Sequence, residues 1–313
     1  MSKWQEIKLI DVIQGLKQLP DNYADLIIID PPYNIKKDFG NNKDNLTLSA
    51  YRKWAKQWID QCLRILKPGA IAYCYGFSEI LAHLSTLIDL DCQRWLIWHY
   101  KNKSVPTLNF WQRSHEAILC FWKQSKNKLK FNRDLVRVPY SQSFLKNSVG
   151  KKRSSTTCRF NKNPDYISIY QAHQNGALPK DVIEIATLAG GKGTQERFFI
   201  CKTCDHRFCS PKERHQHENH NLIIHPTQKP LALTTKLVQS VMVDEKIALN
   251  VVIPFSGSGS EAIVCQNFNH NFIGFEINPD YVELARKWLM FTKDQKKNNQ
   301  KQLNRLGYKN GTL

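Results

Sequence analysis

Apolar and polar positions near the amino terminus follow a strand–helix–strand pattern. Residues 26–29 are all Leu or Ile and stop at two prolines, which predicts a buried parallel strand because proline cannot continue one. Four apolar side chains then recur at helical spacing, namely Trp54, Trp58, Cys62 and Leu66. We expect Lys67-Pro68-Gly69 to end that helix and residues 70–75 to form the next strand.

The same pattern returns towards the carboxyl terminus. Residues 231–243 predict an amphipathic helix, 248–253 a buried strand, 260–267 a second helix and 271–276 another strand. The tail from Thr292 is rich in Lys, Asn and Gln, which predicts a charged or frayed helix. This alternation predicts an α/β fold with a Rossmann-like, mostly parallel sheet and helices on both faces.

The middle of the chain breaks the pattern. In residues 123–224 the periodicity is weak, and Asn, Ser and Gln are frequent. This segment also contains a Cys/His-rich stretch at residues 199–220. We therefore expect residues 1–122 and 225–313 to form the two halves of the sheet domain, the second with a basic tail, and the middle segment to be an insertion.

The charge of the chain is strongly positive and indicates a polyanionic partner. Lys and Arg number 45 against 27 Asp and Glu, a net charge of +18, and nucleic acid is the commonest such partner. Between residues 123 and 162 there are twelve Lys or Arg and a single acid. The consecutive Lys151, Lys152 and Arg153 are candidates for phosphate contacts, which position a protein without specifying sequence. A solvated basic surface is the alternative interpretation.

Composition and the terminal residues narrow the class of protein. Apolar residues make up 42% of the chain and charged residues 23%, which is typical of a globular protein and argues against wholesale disorder. No run approaches the about 20 apolar residues of a membrane-spanning helix, and the first six residues lack a signal-peptide pattern. We therefore expect a cytoplasmic protein with no membrane partner, whose nine Cys are thiols or metal ligands.

The sequence Asp30-Pro31-Pro32-Tyr33 follows the first predicted buried strand, at the end where open α/β sheets bind ligands. A nucleobase amino group is a poor nucleophile, because its lone pair is conjugated into the ring. Asp30 can accept one N–H and a carbonyl before or between the prolines the other, which turns the lone pair towards an electrophile. Tyr33 offers a flat face for base stacking. A turn that only ends the strand is the alternative.

A glycine turn follows a later predicted strand, with the sequence Phe255-Ser256-Gly257-Ser258-Gly259. Its two glycines allow a tight turn and a close approach of the backbone to a ligand. Glu276 ends the next strand, 276 − 257 = 19 residues after the first glycine. This matches the offset of about 20 residues at which an acid meets the ribose hydroxyls of a nucleoside cofactor. A purely structural turn is the alternative.

The Cys/His-rich stretch resembles the start of a two-Cys, two-His zinc finger. Cys201 and Cys204 have C-x2-C spacing, and twelve residues separate Cys204 from His217. His220 follows His217 after only two residues, so His215 is an alternative ligand. The pattern predicts a structural zinc ion, and a basic, His-rich loop with incidental cysteines is the alternative.

The two strand-end motifs occur together in a known family, the amino-group DNA methyltransferases that use S-adenosylmethionine. Asp30-Pro31-Pro32-Tyr33 resembles their catalytic motif IV, and residues 255–259 resemble their cofactor motif I. Because the catalytic motif comes first, the chain resembles the permuted beta class. Further segments similar to the family follow in the expected order: Leu66-Lys67-Pro68-Gly69, Trp98-His99-Tyr100-Lys101-Asn102, His115-Glu116-Ala117-Ile118-Leu119 and His225-Pro226-Thr227-Gln228-Lys229-Pro230.

The resemblance implies a function, a substrate and a setting. Residues 1–122 correspond to the catalytic half, 123–224 to the target-recognition region and 225–313 to the cofactor-binding half. The implied reaction is methyl transfer to the N6 amino group of adenine in a short sequence of double-stranded DNA, because Asp30 at the head of motif IV resembles the adenine enzymes. Cytosine-N4 transfer is the alternative. The implied setting is a bacterial restriction–modification system, whose nuclease would act on the same DNA site without binding this protein. The protein itself is expected to be a monomer or a homodimer.

The resemblance also implies which residues line the cofactor pocket. These are Asp11, Lys229, Phe255, Ser256, Gly257, Gly259 and Glu276. One position departs from the family, which usually has Asp immediately before the Pro-Phe of motif I, where this chain has Ile253. A methyltransferase-like module that binds DNA without turnover is therefore the alternative from another class.

Overall fold

The computed structural model describes residues 4–37, 44–102, 109–154, 167–188, 196–209, 213–214 and 216–305. The chain divides into two compact units. The larger unit comprises Met1–Phe131 and Asp181–Leu313, and the smaller unit is Asn132–Lys180. The smaller unit is shorter than the insertion expected at residues 123–224, because the Cys/His-rich stretch belongs to the larger unit.

The first elements of the larger unit follow the predicted pattern. β1 (Gln5–Leu9) leads to α1 (Val12–Lys17), whose first turn is capped by Asp11. β2 (Ala24–Ile29) contains the predicted apolar run and is almost wholly buried. The strand ends one residue before Asp30, as the pair of prolines predicts.

The second helix ends earlier than its spacing predicts. α2 (Leu48–Ile65) buries Trp58 and Cys62 as expected, but β3 (Leu66–Gly76) begins directly after it. Leu66 pairs with Ala24 of β2, and the register of the ladder then shifts. This irregularity accommodates the Pro-Gly pair within the beginning of the strand. The prediction that Leu66 belongs to the helix was therefore wrong.

The next elements of the larger unit, up to residue 184, add three strands to its sheet. α3 (Ser78–Ser85) and a short 3-10 turn precede β4 (Gln93–His99), which pairs with β5 (His115–Phe121). β8 (Val182–Glu184) pairs with the outer side of β4.

The smaller unit is described by itself. It contains α4 (Gln142–Ser148) and an antiparallel pair of short strands, β6 (Lys152–Ser154) and β7 (Ile167–Ile169). Tyr140 stacks on Phe144 with ring centroids 5.3 Å apart and an interplanar angle of 12°. Lys151 and Lys152 are exposed.

A second, small sheet lies in the Cys/His-rich stretch of the larger unit. Its strands are β9 (Phe199–Cys201), β10 (Arg207–Phe208) and β11 (Leu222–Ile223), with β9 in the centre and antiparallel to both neighbours. Ile200 is completely buried between the two outer strands.

The carboxyl-terminal elements agree closely with the sequence prediction. α5 (Leu231–Gln239) is four residues shorter than expected, and β12 (Asn250–Ile253) is two residues shorter. α6 (Ser260–Asn267) and β13 (Asn271–Glu276) have the predicted bounds. The predicted basic tail is helical as far as the structure describes it, within α7 (Pro279–Arg305).

Eight strands of the described chain form one mixed sheet in the order β1-β13-β12-β2-β3-β5-β4-β8. Only β5 of these eight is antiparallel to its neighbours. On one face, Ile27 and Ala72 belong to a core that includes Trp58 of α2. Tyr73 faces the other way and bonds Ser240, at the end of α5, at 2.8 Å. The predicted α/β fold, with helices on both faces, is confirmed.

Among the described residues, no helix combines the length and the apolar character that crossing a bilayer requires.

Candidate active site

The carboxyl ends of β2, β12 and β13 border one pocket. These strands are parallel neighbours in the order β13-β12-β2, so their ends meet at the same edge of the sheet. The pocket has a volume of about 250 Å³. Its walls include these predicted residues: Asp11, Asp30, Pro31, Pro32, Tyr33, Lys229, Phe255, Ser256, Gly257 and Glu276. Folding therefore brings together motifs that are more than 200 residues apart in the chain.

Asp30 is paired with a buried lysine. The Nζ atom of Lys229 lies 2.9 Å from Asp30 Oδ2 and 3.7 Å from Glu116 Oε2, and 4% of the lysine side chain is exposed. Burial disfavours the ammonium, but the two carboxylates outweigh burial and raise the pKa of Lys229 above its ordinary value. Lys229, expected only in the cofactor pocket, thus also contacts the catalytic motif.

The hydroxyl of Tyr33 completes this buried polar cluster. It lies 2.9 Å from Asp30 Oδ1 and 3.1 Å from Glu116 Oε2, and it accepts a hydrogen bond from Lys229 Nζ at 3.1 Å. Burial raises the pKa of Tyr33, and the two carboxylates raise it further, so the phenol stays a neutral donor. The ring packs edge-on against Phe77 at 5.2 Å. Stacking of a base on this ring stays a prediction.

Hydrogen bonds hold the chain that follows the two prolines. The Tyr51 hydroxyl donates to the carbonyl of Pro32 at 2.8 Å. Asn34 has a left-handed backbone, with φ of +55°, and its backbone N–H donates to the carboxylate of Asp44. The expected contact of an amino group with the carbonyl before or between the prolines stays a prediction.

The glycine turn requires glycine at two positions. The φ angles of Gly257 and Gly259 are +47° and +84°, in the left-handed region that favours glycine. A Cβ atom at Gly259 would lie 2.7 Å from the Cβ of Ala285, and one at Gly257 would lie 2.8 Å from Nε2 of His225. The turn is therefore packed directly between α7 and His225. Gly257 borders the pocket, and Gly259 lies behind its wall.

The carboxylate of Glu276 fixes the position of this turn. Oε2 accepts the backbone N–H of Gly257 at 2.9 Å, and Oε1 accepts those of Ile277 and Asn278 at 2.9 and 2.8 Å. Burial raises the pKa of Glu276, although these hydrogen bonds oppose the rise. The contact of Glu276 with ribose hydroxyls stays a prediction.

Other predicted cofactor residues have defined structural contacts. Asp11 accepts the backbone N–H groups of Ile13 and Gln14 at 2.9 and 3.2 Å, as the cap of α1. Phe255 packs edge-on against both Trp54 and Trp58, with ring centroids 5.7 Å apart in each pair. These contacts position the pocket wall.

Three residues of this region were not predicted as site residues: Glu116, His225 and Glu261. Glu116 and His225 were noted only as parts of family segments. Burial, followed by the charge of Lys229, lowers the pKa of His225 to about 3, so the imidazole is neutral. Glu261 is 3% exposed, and burial and then Asp30 raise its pKa to about 7. An acid directly before the apolar run Ala262-Ile263-Val264-Cys265 was the sequence signal that could have identified Glu261.

The four predicted metal ligands meet in the larger unit. The ligand atoms of Cys201, Cys204, His217 and His220 all lie within 4.8 Å of one another. Three of the separations are 3.3 Å (Cys201 Sγ to His220 Nδ1), 3.6 Å (Cys204 Sγ to His217 Nδ1) and 3.0 Å (between the two Nδ1 atoms). A tetrahedral zinc ion with bonds of about 2.0–2.3 Å separates its ligands by about 3.3–3.8 Å. The first two separations lie in this range and the third is shorter, so the four donors have the chemistry and nearly the spacing that zinc requires. His215 lies outside the described residues.

The candidate phosphate-binding residues lie in the smaller unit. Lys151 and Lys152 are exposed, and Arg153 lies in β6, opposite Ser168 of β7. Exposed basic side chains are compatible with phosphate contacts, which stay a prediction.

Comparison with known proteins gives one consistent result. Residues 24–287 match the sequence model of a family described as DNA methylase. The chain is 30% identical over 289 residues to type II methyltransferase M.HpaI of Haemophilus parainfluenzae, and this alignment covers 91% of the chain and 74% of that protein. It is also 26% identical over 288 residues to the DNA adenine methyltransferase YhdJ of Escherichia coli (strain K12), and this alignment covers 89% of the chain and 80% of that protein.

A solved structure shares the fold. The cytosine-N4-specific PvuII DNA methyltransferase aligns with a TM-score of 0.57 at 14% sequence identity, over 91% of this chain and 86% of that one.

Proposed function

The chain belongs to the family of N6 and N4 DNA methylases, and on this premise we propose that it methylates the N6 amino group of adenine in a short duplex DNA sequence, with S-adenosylmethionine as methyl donor. One observation carries the proposal: the Asp30-Pro31-Pro32-Tyr33 motif and the glycine turn border the same pocket. The choice of adenine rests on Asp30 at the head of the motif.

The pocket fits S-adenosylmethionine in the chemistry of its walls. When bound, this cofactor supplies an electrophilic methyl group on a positively charged sulfur. The left-handed Gly257 lets the backbone approach a ligand, and Glu276 stands at the offset expected for ribose recognition. Asp30 and Glu116 lie beside the ammonium of Lys229. Lys37 also lines the pocket, but the lining carboxylates outnumber the two lysines and favour a cationic ligand; they include Asp11, Asp30, Asp44 and Glu276.

Asp30 is suited to hold the amino group of the target base. A carboxylate offers about four acceptor sites, and Tyr33 and Lys229 occupy two of those on Asp30. Another site can therefore accept an N–H of the base, while Lys229 pairs with the same carboxylate. Asp30 need not be a strong base, because the nitrogen becomes acidic only as the methyl bond forms. The base must leave the duplex to reach this pocket.

The direct test is transfer of label from tritiated S-adenosylmethionine to unmethylated genomic DNA, followed by nucleoside analysis. Labelled N6-methyladenine is the expected product. Labelled N4-methylcytosine would keep the reaction and overturn the choice of base. No binding of S-adenosylmethionine would favour the DNA-binding module and contradict the proposal.

The role of Asp30 predicts the result of a single substitution. Asp30→Ala should lower the rate of methyl transfer about 100-fold or more, since it removes an acceptor aimed at the reacting group. Affinity for DNA should stay within about threefold, because the phosphate contacts are expected elsewhere. Asp60→Ala, on the exposed surface of α2, is the control. Unchanged turnover in Asp30→Ala would remove the assigned role.

We also propose that Cys201, Cys204, His217 and His220 bind a structural zinc ion. Burial raises the pKa of the Cys201 thiol, but hydrogen bonds with Cys204 and His220 outweigh it and lower the pKa to about 6, which favours the thiolate that zinc requires. Metal analysis should find one zinc per chain. Cys201→Ser should lose the zinc, and Cys209→Ser should keep it. A zinc-free wild-type protein with the same thermal stability would contradict the site.

The proposed setting is a bacterial restriction–modification system. Duplex DNA as substrate implies action in the cytoplasm, with Lys151, Lys152 and Arg153 among the phosphate contacts. The partner nuclease would recognise the same DNA sequence and would not bind this chain. Analytical ultracentrifugation distinguishes the monomer from the homodimer.

A further inference from the structure

The four Cys/His ligands belong to a small folded segment, which we call the metal module and define as the described part of residues 199–223. It contains β9, β10 and β11, which have only three, two and two residues. Phe199 stacks on Phe208 at 5.0 Å, and both rings are buried. A sheet of this size buries too little apolar surface to be stable alone, so a bound metal would supply much of its stability.

The metal module is attached to α7 by two ion pairs of the turn between β9 and β10. Lys202 pairs with Asp280 at 2.7 Å, and Asp205 pairs with Lys287. Immediately before the module, Phe198 stacks on Trp288 with ring centroids 5.5 Å apart and an interplanar angle of 5°. The module is therefore fixed to the helix that also supports the glycine turn.

The residues just before the module are bonded to the segment that carries the active-site lysine. Gln228 accepts the backbone N–H of Phe198 at 3.2 Å and donates to the carbonyl of Glu196 at 2.7 Å. The carboxylate of Glu196 accepts the backbone N–H of Leu231 at 3.1 Å. These three bonds flank Lys229 on both sides in the sequence. The side chain of Gln228 is buried, so each bond would be costly to lose.

The chain that leaves the module enters the pocket directly. β11 ends at Ile223, two residues before His225. His225 packs against Tyr281 at 4.6 Å and stands so close to Gly257 that a Cβ there would clash with its ring. Lys229 follows four residues later and bonds Asp30. The residues before the module are thus bonded to Gln228, next to Lys229, and the residues after it lead to His225.

We propose that metal bound by Cys201, Cys204, His217 and His220 holds the segment with His225 and Lys229 in place, so that metal occupancy controls the affinity of the pocket for its cofactor. This inference rests on the proposed function, because it assumes that the pocket binds S-adenosylmethionine. It assigns the module a positioning role through Gln228 and His225. It does not make the module a reader of DNA sequence.

The first experiment measures the coupling in both directions on the full chain. Removal of zinc by a chelator should weaken S-adenosylhomocysteine about tenfold in calorimetry, and added zinc should restore the affinity. Thermodynamic linkage then requires S-adenosylhomocysteine to tighten zinc by the same factor in a competition assay. A module that only adds stability would show neither shift under conditions in which the chain stays folded by circular dichroism.

The second experiment tests the path of the coupling. Gln228→Leu leaves the four ligands intact, so this variant should keep its zinc and bind S-adenosylhomocysteine about tenfold more weakly. Chelation should then weaken binding less than it does in the wild type, because one of the two connections is already lost, and this non-additivity is the signature of a double-mutant cycle. Cys209→Ser, in the same stretch but outside the four ligands, should behave like the wild type in both assays.

The outcomes separate this inference from the proposed function. If zinc-loaded protein does not bind S-adenosylhomocysteine, the proposed function itself fails. If it binds equally well with and without zinc, the proposed function stands and the inference is wrong. If zinc removal weakens only DNA binding, the module acts as a DNA-binding finger and the inference is also wrong.

Discussion

At the scale of single residues, the site places several carboxylates close to the buried ammonium of Lys229. Lys229 contacts Asp30 and Glu116 directly, and Glu261 is buried nearby in the pocket wall. Oε2 of Glu261 accepts from Ser260, whereas Oε1 has no hydrogen bond within the described part of the chain. A buried carboxylate with one unbonded oxygen favours its protonated form. This makes Glu261 a source of pH dependence in stability.

Glu261→Gln should remove the pH dependence of folding stability that the buried carboxyl causes. The pKa of Glu261 is raised to about 7 in the fold from the ordinary 4.5, so its stabilising contribution is complete below about 4.5 and is lost as pH rises to about 7. This rise in the pKa of Glu261 corresponds to about 3 kcal/mol of pH-dependent stability. The variant minus wild-type difference in unfolding free energy should therefore rise by about 3 kcal/mol between pH 4.5 and pH 8.

Urea unfolding at several pH values measures that difference. Glu6→Gln, at an exposed position of β1, is the control for the amide substitution and should differ little from the wild type throughout. A difference for Glu261→Gln that does not change with pH would show that the carboxyl is solvated in the folded protein.

At the scale of elements, the pocket depends on how the glycine turn packs between neighbouring parts of the fold. Gly259 fits against Ala285 of α7, and Gly257 fits against His225. Glu276, at the end of β13, accepts the backbone N–H of Gly257 and so joins the turn after β12 to the next strand. The turn is thus specified by tertiary contacts as well as by its own glycines.

Gly259→Ala should destabilise the larger unit by about 2–4 kcal/mol and abolish measurable binding of S-adenosylhomocysteine, since it adds a clash with Ala285 to the strain of a left-handed backbone. Gly150→Ala is the matched control, because φ there is +74° and a Cβ would meet nothing within 4 Å. The control should cost about 1 kcal/mol in thermal unfolding and keep full cofactor binding. Equal effects of the two substitutions would show that backbone strain alone matters.

At the scale of the whole molecule, the net charge of +18 is the property most relevant to DNA. Each phosphate neutralised by Lys or Arg releases counterions, so affinity falls with salt in proportion to the number of contacts. Lys151 and Lys152 are exposed in the smaller unit and are the proposed contacts.

The logarithm of the DNA association constant should therefore fall steeply with the logarithm of salt concentration. Replacing both Lys151 and Lys152 by Ala should reduce the slope by about 2, one for each lost phosphate contact. Lys56→Ala, on the exposed surface of α2 where Lys56 pairs with Asp60, should leave the slope unchanged. A flat salt response of the wild type would show that the basic residues do not face DNA. Fluorescence anisotropy at graded salt measures all three slopes.

Much of the sheet could be predicted because its elements are encoded locally. The apolar run of β2, the bounds of α6 and β13, and the glycine turn follow from periodicity and from backbone restrictions of a few adjacent residues. The end of α2 could not be predicted in the same way. The Pro-Gly pair predicted that the helix ends after Leu66, but Leu66 pairs with Ala24 of β2 and belongs to a strand. Such pairing depends on a distant part of the chain.

The same division applies to the candidate site. The sequence predicted the candidate catalytic motif, the glycine turn, Glu276 and the four candidate Cys/His ligands, because each depends on residue types at a characteristic spacing along the chain. The pairing of Lys229 with Asp30, 199 residues away in the chain, becomes visible only in the folded structure. The same holds for the positions of Glu116 and Glu261 beside this pair. The physical reason is that hydrogen bonds and charge pairs depend on distance in space, which a spacing along the chain does not specify.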